Sequence, residues 1–151
     1  MDKNITMELL GEAKKAHIKW TQRAKLLIEG LPIDESAIPL SNTDCAFGLW
    51  FYGEGQKLNA LGNMGCLGDI EKAHFILHDQ YMKIFKIYFA NTERSFFSKI
   101  FSSKKKISEQ EKEMAKEYFV KLQAASDEVL DVIGKLERRL YAIPQTSFDA
   151  V

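Results

Sequence analysis

The sequence is poor in cysteine, proline and histidine, and it lacks both a net charge and a long apolar run. Its two cysteines are too few for the disulfide framework of a small secreted protein. The 21 basic and 21 acidic side chains balance, which argues against a nucleic-acid-binding surface. No stretch approaches the roughly 20 apolar residues of a membrane span, and the N-terminus has no apolar signal core. We therefore expect a cytoplasmic protein without nucleic acid as a partner.

The three prolines leave long stretches in which apolar residues recur at helical spacing. Sustained period-two alternation, which would indicate strands, is missing from the sequence. The helical spacing, together with cap and stop residues, predicts helices over about 4–29, 45–61, 69–90 and 108–141. Thr43 or Asp44 is the expected cap of the second helix, and Ser108 with Glu111 forms a capping box before the fourth.

Four amphipathic helices with short connections predict an all-α fold, an antiparallel four-helix bundle with an extra short connector helix. The length of 151 residues suits one domain spanning 1–151. The fourth helix carries an apolar heptad seam over about three repeats, which suits packing in a bundle or against a partner helix. The seam consists of Tyr118, Leu122, Ala125, Val129, Val132 and Leu136.

The three histidines and one of the cysteines have positions that indicate a metal site. His74 and His78 are four residues apart, so on a helix they project from one face within about 6 Å of each other. His17 lies on the apolar stripe of the first helix. Cys45 begins the second helix, where the positive end of the helix dipole favours a thiolate. Three helices of a bundle can bring these four side chains into one layer.

Three imidazoles and one thiolate make a complete tetrahedral ligand set for one Zn²⁺ ion. A closed shell leaves no bound water to activate, so we expect a structural or sensory site and assign no catalytic residue. Other interpretations remain open at this point. The histidines can be hydrogen-bonded core residues, and Cys45 with an imidazole can be a nucleophilic dyad. Glu71 and His74 form half of a di-iron motif, and haemerythrin-like bundles also use helical histidines.

Three segments, in order, carry a resemblance to a known family: "HIKW" at 17–20, "CAFGLWFYGEG" at 45–55 and "HFILH" at 74–78. Together they resemble the signature of the chemoreceptor zinc-binding (CZB) domain, over roughly residues 10–90. The resemblance implies zinc ligation by His17, Cys45, His74 and His78. It also implies a homodimeric helical bundle that regulates a chemoreceptor signalling domain or a diguanylate cyclase in the bacterial cytoplasm, through zinc occupancy or cysteine oxidation.

The remaining features receive simpler interpretations. Glu71 and Asp79 are candidate hydrogen-bond partners of the ligating histidines, because such histidines usually donate their other N–H to a carboxylate or carbonyl. Cys66 is expected to have no role. The aromatic and basic segment 93–107 is expected to be a connector with phenylalanines packed on the bundle. No output domain accompanies the motifs, so the chain is either a free-standing module that acts on a separate protein or an excised domain. The start "MDKN" and the long tail past Gly134 favour the free-standing module.

Overall fold

The computed structural model describes residues 1–31, 33, 41–89 and 107–151, and within these it contains helices and no strand. This confirms the all-α class. The helices, numbered here in chain order, are α1 (Lys3–Ile28), α2 (Ala46–Tyr52), a 3₁₀ helix (Glu54–Leu61), α3 (Cys66–Phe89), α4 (Glu109–Ala142) and α5 (Gln145–Phe148). None of the described helices is long and apolar enough to cross a membrane.

Local capping explains where the long helices begin. The Asp2 side chain accepts a hydrogen bond of 2.9 Å from the backbone N–H of Ile5, which caps α1. The predicted capping box of α4 is present, with reciprocal bonds between Ser108 and Glu111. The predicted heptad seam of α4 is buried from Leu122 to Leu136, and only Tyr118 at its N-terminal end is partly exposed. That seam fills the space between α4 and the other two long helices.

The long helices are not all antiparallel to one another. Residues later in α1 contact residues later in α3. The Trp20 ring contacts the His78 ring, and further along both helices the Tyr88 hydroxyl lies 3.5 Å from the carbonyl oxygen of Ile28. These two helices therefore run in the same direction. By contrast, α4 runs antiparallel to α1, since Lys14 pairs with Glu137 at 2.6 Å and α1 residues 18–22 face α4 residues 123–130.

The parallel direction of α1 and α3 corrects the predicted antiparallel arrangement of neighbouring helices. The described part of residues 29–65 contains the short α2 and the 3₁₀ helix, and α3 starts at the same end of the bundle as α1. A connection of this length can reverse the chain before the next long helix starts, whereas short loops would force antiparallel neighbours. The described residues thus form three long helices, with α2 packed against α1 near the histidines. The predicted 93–107 connector lies outside the described residues, apart from its last residue, Ile107.

The second predicted helix is shorter and begins differently than expected. It is α-helical only to Tyr52, and after Gly53 it continues as the 3₁₀ helix. Its N-cap is Cys45 itself rather than Thr43 or Asp44, with an extended backbone and a side chain that accepts from the Gly48 N–H. The cysteine therefore occupies a defined capping position, and its sulfur is oriented by the first turn of α2.

Candidate metal centre

Three separate helices bring the four predicted ligand residues together. His17 comes from the middle of α1, Cys45 from the start of α2, and His74 and His78 from successive turns of α3. All four are buried, and one ligand atom from each lies within 4.8 Å of every other. The ring centroids of His74 and His78 are 4.6 Å apart, as their i, i+4 spacing predicts.

The Cys45 sulfur lies between the backbone of its own turn and the His74 ring. Its Sγ atom is 3.3 Å from Nε2 of His74 and accepts a hydrogen bond of 3.2 Å from the Gly48 N–H. On the other side it lies 3.8 Å from the carbonyl oxygen of Asn42. These contacts hold the sulfur towards the histidines, since a cap side chain that bonds the N3 N–H has little rotational freedom.

Gly48 is required at this turn because its missing side chain leaves room for the Asn42 carbonyl. A Cβ atom at Gly48 would overlap that backbone oxygen, which no side-chain rotation can relieve. Gly48 therefore packs closely against the loop that precedes α2. Gly48 thus determines where Cys45 sits.

We expect Gly48→Ala to lower the free energy of unfolding of the metal-free protein by about 1–3 kcal/mol, the usual cost of overpacking. Gly11→Ala on α1 is the matched control, because a Cβ there meets nothing within 4 Å. It should raise stability by about 0.5–1 kcal/mol through helix propensity. Urea denaturation measures both changes, and equal stability of the two variants would contradict the crowding at Gly48.

Burial keeps His17 and His74 neutral. It lowers the pKa of His17 to about 4, with the neighbouring His78 acting in the same direction and a backbone contact from Ala13 opposing both. Burial also lowers the pKa of His74 to about 2, helped by His17 and His78. Neutral imidazoles keep a lone pair for a metal ion at physiological pH. The site is therefore ready to bind a cation without first losing protons from His17 or His74.

The pKa of the Cys45 thiol shifts in the opposite direction to the one expected from the sequence. The N–H groups of Gly48 and Phe47 do favour the thiolate, but burial is the larger effect and raises the pKa of Cys45 above its ordinary value. Asp44 adds a smaller contribution in the same direction. The expected thiolate at the helix start is thus wrong for the metal-free site, because desolvation outweighs the helix N-terminus.

We expect the metal-free protein to lose stability as the pH falls below about 6.5, the ordinary pKa of histidine. The unfolded chain then takes up protons that the folded His17 and His74 refuse until about pH 4 and pH 2. The free energy of unfolding is therefore independent of these groups above pH 6.5. At pH 5 each histidine costs about 2 kcal/mol, from 1.5 pH units at 1.36 kcal/mol each.

Denaturation in the presence of a chelator measures this dependence. His74→Leu should remove about half of it between pH 7 and pH 5. A flat profile in the parent protein over that range would show that the two imidazoles are not buried in the neutral form.

The donor set and the unpaired atoms of the cluster fit a bound metal ion. The Nδ1 atom of His17 is buried and has no partner at hydrogen-bond geometry. Leaving such atoms unpaired costs about 1–3 kcal/mol each. In a tetrahedral zinc shell the ligand atoms lie about 3.3–3.8 Å apart. The separation of Cys45 and His74 is already 3.3 Å, so a small inward movement of the others would complete the shell.

The two carboxylates predicted to support the histidines have other contacts. Asp79 accepts hydrogen bonds from Lys83 at 2.6 Å and from Gln80 at 3.1 Å. Glu71 is exposed and lies beside the Tyr52 hydroxyl, whose pKa is raised first by burial and then by this carboxylate. Support of the ligating histidines by Glu71 or Asp79 stays a prediction.

Two aromatic residues close the site and were not assigned to it from the sequence. The Phe47 ring packs edge-on against His17 and His74, with centroids 5.7 and 5.0 Å away. Trp20 covers His78 at 4.7 Å. The signal for both was available, because Phe47 lies two residues after Cys45 and Trp20 one turn after His17. Apolar walls of this kind exclude water and strengthen the electrostatics inside.

Comparison with protein families identifies this region. The family model of the chemoreceptor zinc-binding domain, CZB, matches residues 17–85. The match begins at one of the clustered histidines and contains all four clustered residues, while α4 lies beyond it. The resemblance seen in the sequence is confirmed. Comparison with curated proteins and with solved structures gives no significant match.

Proposed function

Because residues 17–85 match the family model of the chemoreceptor zinc-binding domain, we propose that this chain is a zinc-dependent sensory module of a bacterial signalling system. The domain binds zinc, and the four clustered side chains are arranged for a single ion. We assign the ligands as His17, Cys45, His74 and His78. The observation that carries the proposal is the approach of four ligand atoms, from three helices, to within 4.8 Å of one another.

Zinc in this site would supply structural cross-linking, since four protein ligands leave no open position for a substrate. The residues themselves determine what the cross-link does. His17 on α1 would be tied to His74 and His78 on α3, two helices whose direct packing is less extensive than their packing on α4. Cys45 would add α2 to the same cluster. Zinc occupancy of the site would thereby fix the relative positions of α1, α2 and α3.

Cys45 is the ligand through which an oxidant would act. A cavity between α1 and α2 is lined by both His17 and Cys45, and we propose that a small oxidant reaches the sulfur through it. Attack of the Cys45 thiolate on a peroxide forms an S–O bond, breaks the O–O bond and releases hydroxide, which leaves a sulfenic acid. This product binds zinc less well than a thiolate, because the thiolate is the metal ligand. Zinc occupancy and oxidation would thus converge on one conformational change.

Two catalytic alternatives fit the site less well. The 3.3 Å contact between Cys45 and His74 is the distance of a nucleophilic dyad. However, a thiolate–imidazolium pair needs a lowered thiol pKa and a raised imidazole pKa, and both groups shift the opposite way. A di-iron or haemerythrin-like site would need carboxylates or more histidines. The cluster found among the described residues contains neither.

We also propose that the chain is a cytoplasmic homodimer that regulates a chemoreceptor-type or diguanylate-cyclase-type partner, with 1–151 as one domain. Support comes from the family and from large apolar side chains exposed beside the site. Leu49 on α2 is 64% exposed, and Phe75 on α3 is 55% exposed next to the ligand His74. Large exposed apolar residues often mark protein interfaces.

The test combines metal analysis with sedimentation. Protein purified without added zinc should hold about one zinc per chain as a dimer, and stoichiometric peroxide should release that zinc and alter the hydrogen exchange of α2. Cys66→Ala should respond like the parent, because Cys66 lies outside the cluster. Iron in place of zinc, or oxidation of Cys45 without zinc release, would overturn the proposal.

A further inference from the structure

One residue of the loop before α2, Asn42, contacts both ends of that helix. The carbonyl oxygen of Asn42 lies 3.8 Å from the Cys45 sulfur and directly against Gly48 in the first turn. Its side-chain amide donates a hydrogen bond of 3.1 Å to the hydroxyl of Tyr52, the last residue of α2. Movement of α2 away from this loop would therefore break the side-chain bond and disturb the contact at the sulfur.

Tyr52 extends this connection to α3. The pKa of Tyr52 is raised by burial, then by the charge of Glu71 and by a hydrogen bond to that carboxylate, while the bond from Asn42 acts in the other direction. The hydroxyl thus keeps its proton and donates to Glu71 while it accepts from Asn42. Glu71 lies one turn before His74, whose Nε2 atom is 3.3 Å from the Cys45 sulfur. The chain of hydrogen bonds therefore joins the same two elements as the contact between thiol and imidazole.

This connection matters because α2 is a short helix at the edge of the bundle. It has seven residues, too few for a helix that is stable by itself. Among the described helices, α2 packs more closely on α1 than on α3. Cys45 is buried, whereas Tyr52 at the other end of the segment is 37% exposed. Hydrogen bonds at that exposed end can hold the sulfur in place without being part of the metal cluster.

We propose that Asn42, Tyr52 and Glu71 form a latch that positions the Cys45 sulfur against α3 and controls how often α2 opens. The three are positioning residues, and the latch opens when the Tyr52 hydroxyl leaves Glu71. Opening exposes Cys45 while α1, α3 and α4 stay folded, as is usual for short elements with few buried contacts. Control of sulfur accessibility is a property of the metal-free protein. Control of zinc release rests in addition on the proposed function.

The two cysteines of the chain allow one measurement to separate local opening from global unfolding. Fluorescein maleimide is too large for the cavity of about 290 Å³ beside Cys45, so it reacts with that sulfur only when α2 moves. In chelated protein, Tyr52→Phe should label Cys45 about fivefold faster, because it removes hydrogen bonds of ordinary net strength. Cys66, buried at the start of α3 and outside the latch, should keep the parent rate. Peptide mass spectrometry measures both rates.

Matched variants test each member of the latch. Tyr141→Phe alters an exposed tyrosine near the end of α4 and should change neither rate. Glu71→Gln keeps an oxygen that can accept from the Tyr52 hydroxyl and should stay near the parent, whereas Glu71→Ala should resemble Tyr52→Phe. Adding Asn42→Ala to Tyr52→Phe should give no further increase, because the partner of the Asn42 amide is already gone. Circular dichroism verifies that each variant is folded.

Two results would overturn the latch. One is a parent-like labelling rate of Cys45 in Tyr52→Phe, and the other is equal acceleration at Cys45 and Cys66, which would indicate global destabilisation. Zinc transfer to a chelator, measured on the same variants, should become faster in the same order as labelling of Cys45. If labelling follows this order in a protein that binds no zinc, the latch is supported and the proposed sensory function fails.

Discussion

Cys45→Ala should lower zinc affinity by more than a hundredfold while leaving the helical content unchanged. Structural zinc sites contribute about 10–16 kcal/mol in total, so one of four ligands accounts for about 3 kcal/mol. The remaining three imidazoles cannot replace the thiolate. Competition with a chromophoric chelator measures the affinity, and circular dichroism measures the helical content.

Cys66→Ala is the matched control for this substitution. Cys66 is also a buried free cysteine, at the start of α3, but it does not belong to the cluster. Its removal should leave affinity within a factor of about two, an ordinary variation for a residue without contact to the ligand. If both alanine variants lost zinc equally, or if Cys45→Ala held it as tightly as the parent, Cys45 would not be a ligand.

Zinc binding by the parent protein and by Cys45→Ala should also differ in the number of protons released. The raised pKa of Cys45 means that its thiol is protonated at pH 7, whereas His17 and His74 are already neutral. Zinc binding should therefore release about one proton per ion in the parent, because the bound sulfur must be a thiolate. Cys45→Ala should release none. Calorimetry in two buffers of different ionisation enthalpy measures this number.

Chelation of zinc should lower the melting temperature by about 8–16 °C. A ligand present at a thousand times its dissociation constant stabilises the folded state by about 4 kcal/mol. For a chain of this size each kcal/mol corresponds to about 2–4 °C. The physical origin is the cross-link among α1, α2 and α3, which the unfolded chain cannot form with equal affinity.

His17→Gln tests whether the link to α1 is needed for this effect. It removes the ligand on α1 while leaving Cys45, His74 and His78 in place, and it should reduce the zinc-dependent shift by more than half. Lys15→Gln is the control on the same helix, because Lys15 is exposed and lies outside the cluster. A full shift in His17→Gln would mean that α2 and α3 alone hold the ion.

Several features of the fold could be predicted because they depend on local sequence. The capping box of Ser108 and Glu111 involves neighbours three residues apart, and the structure contains it. The buried seam of α4 follows from its heptad spacing. The boundaries of the three long helices α1, α3 and α4 were predicted to within about three residues, with α3 beginning at Cys66 rather than Asp69, a normal error at fraying helix ends.

Other features could not be predicted because they depend on distant parts of the chain. The parallel direction of α1 and α3 is visible only in contacts between them, such as that of Trp20 with His78, and no periodicity within either helix encodes it. The role of Gly48 required the position of the Asn42 carbonyl. The cavity between α1 and α2 exists only once α1 and α2 are assembled, since residues of both helices, Trp20 and Trp50 among them, line it.

The sequence by itself determined which atoms could bind a metal ion. Its three histidines and Cys45 are at helical positions that place ligand atoms on buried faces, and residue type together with spacing carries that information. Only the tertiary structure decided that these atoms meet, and in which protonation state. Burial lowers the pKa of His17 and His74 and raises that of Cys45 against the pull of its helix N-terminus. Desolvation depends on everything packed around a group, so it appears only when the helices are assembled.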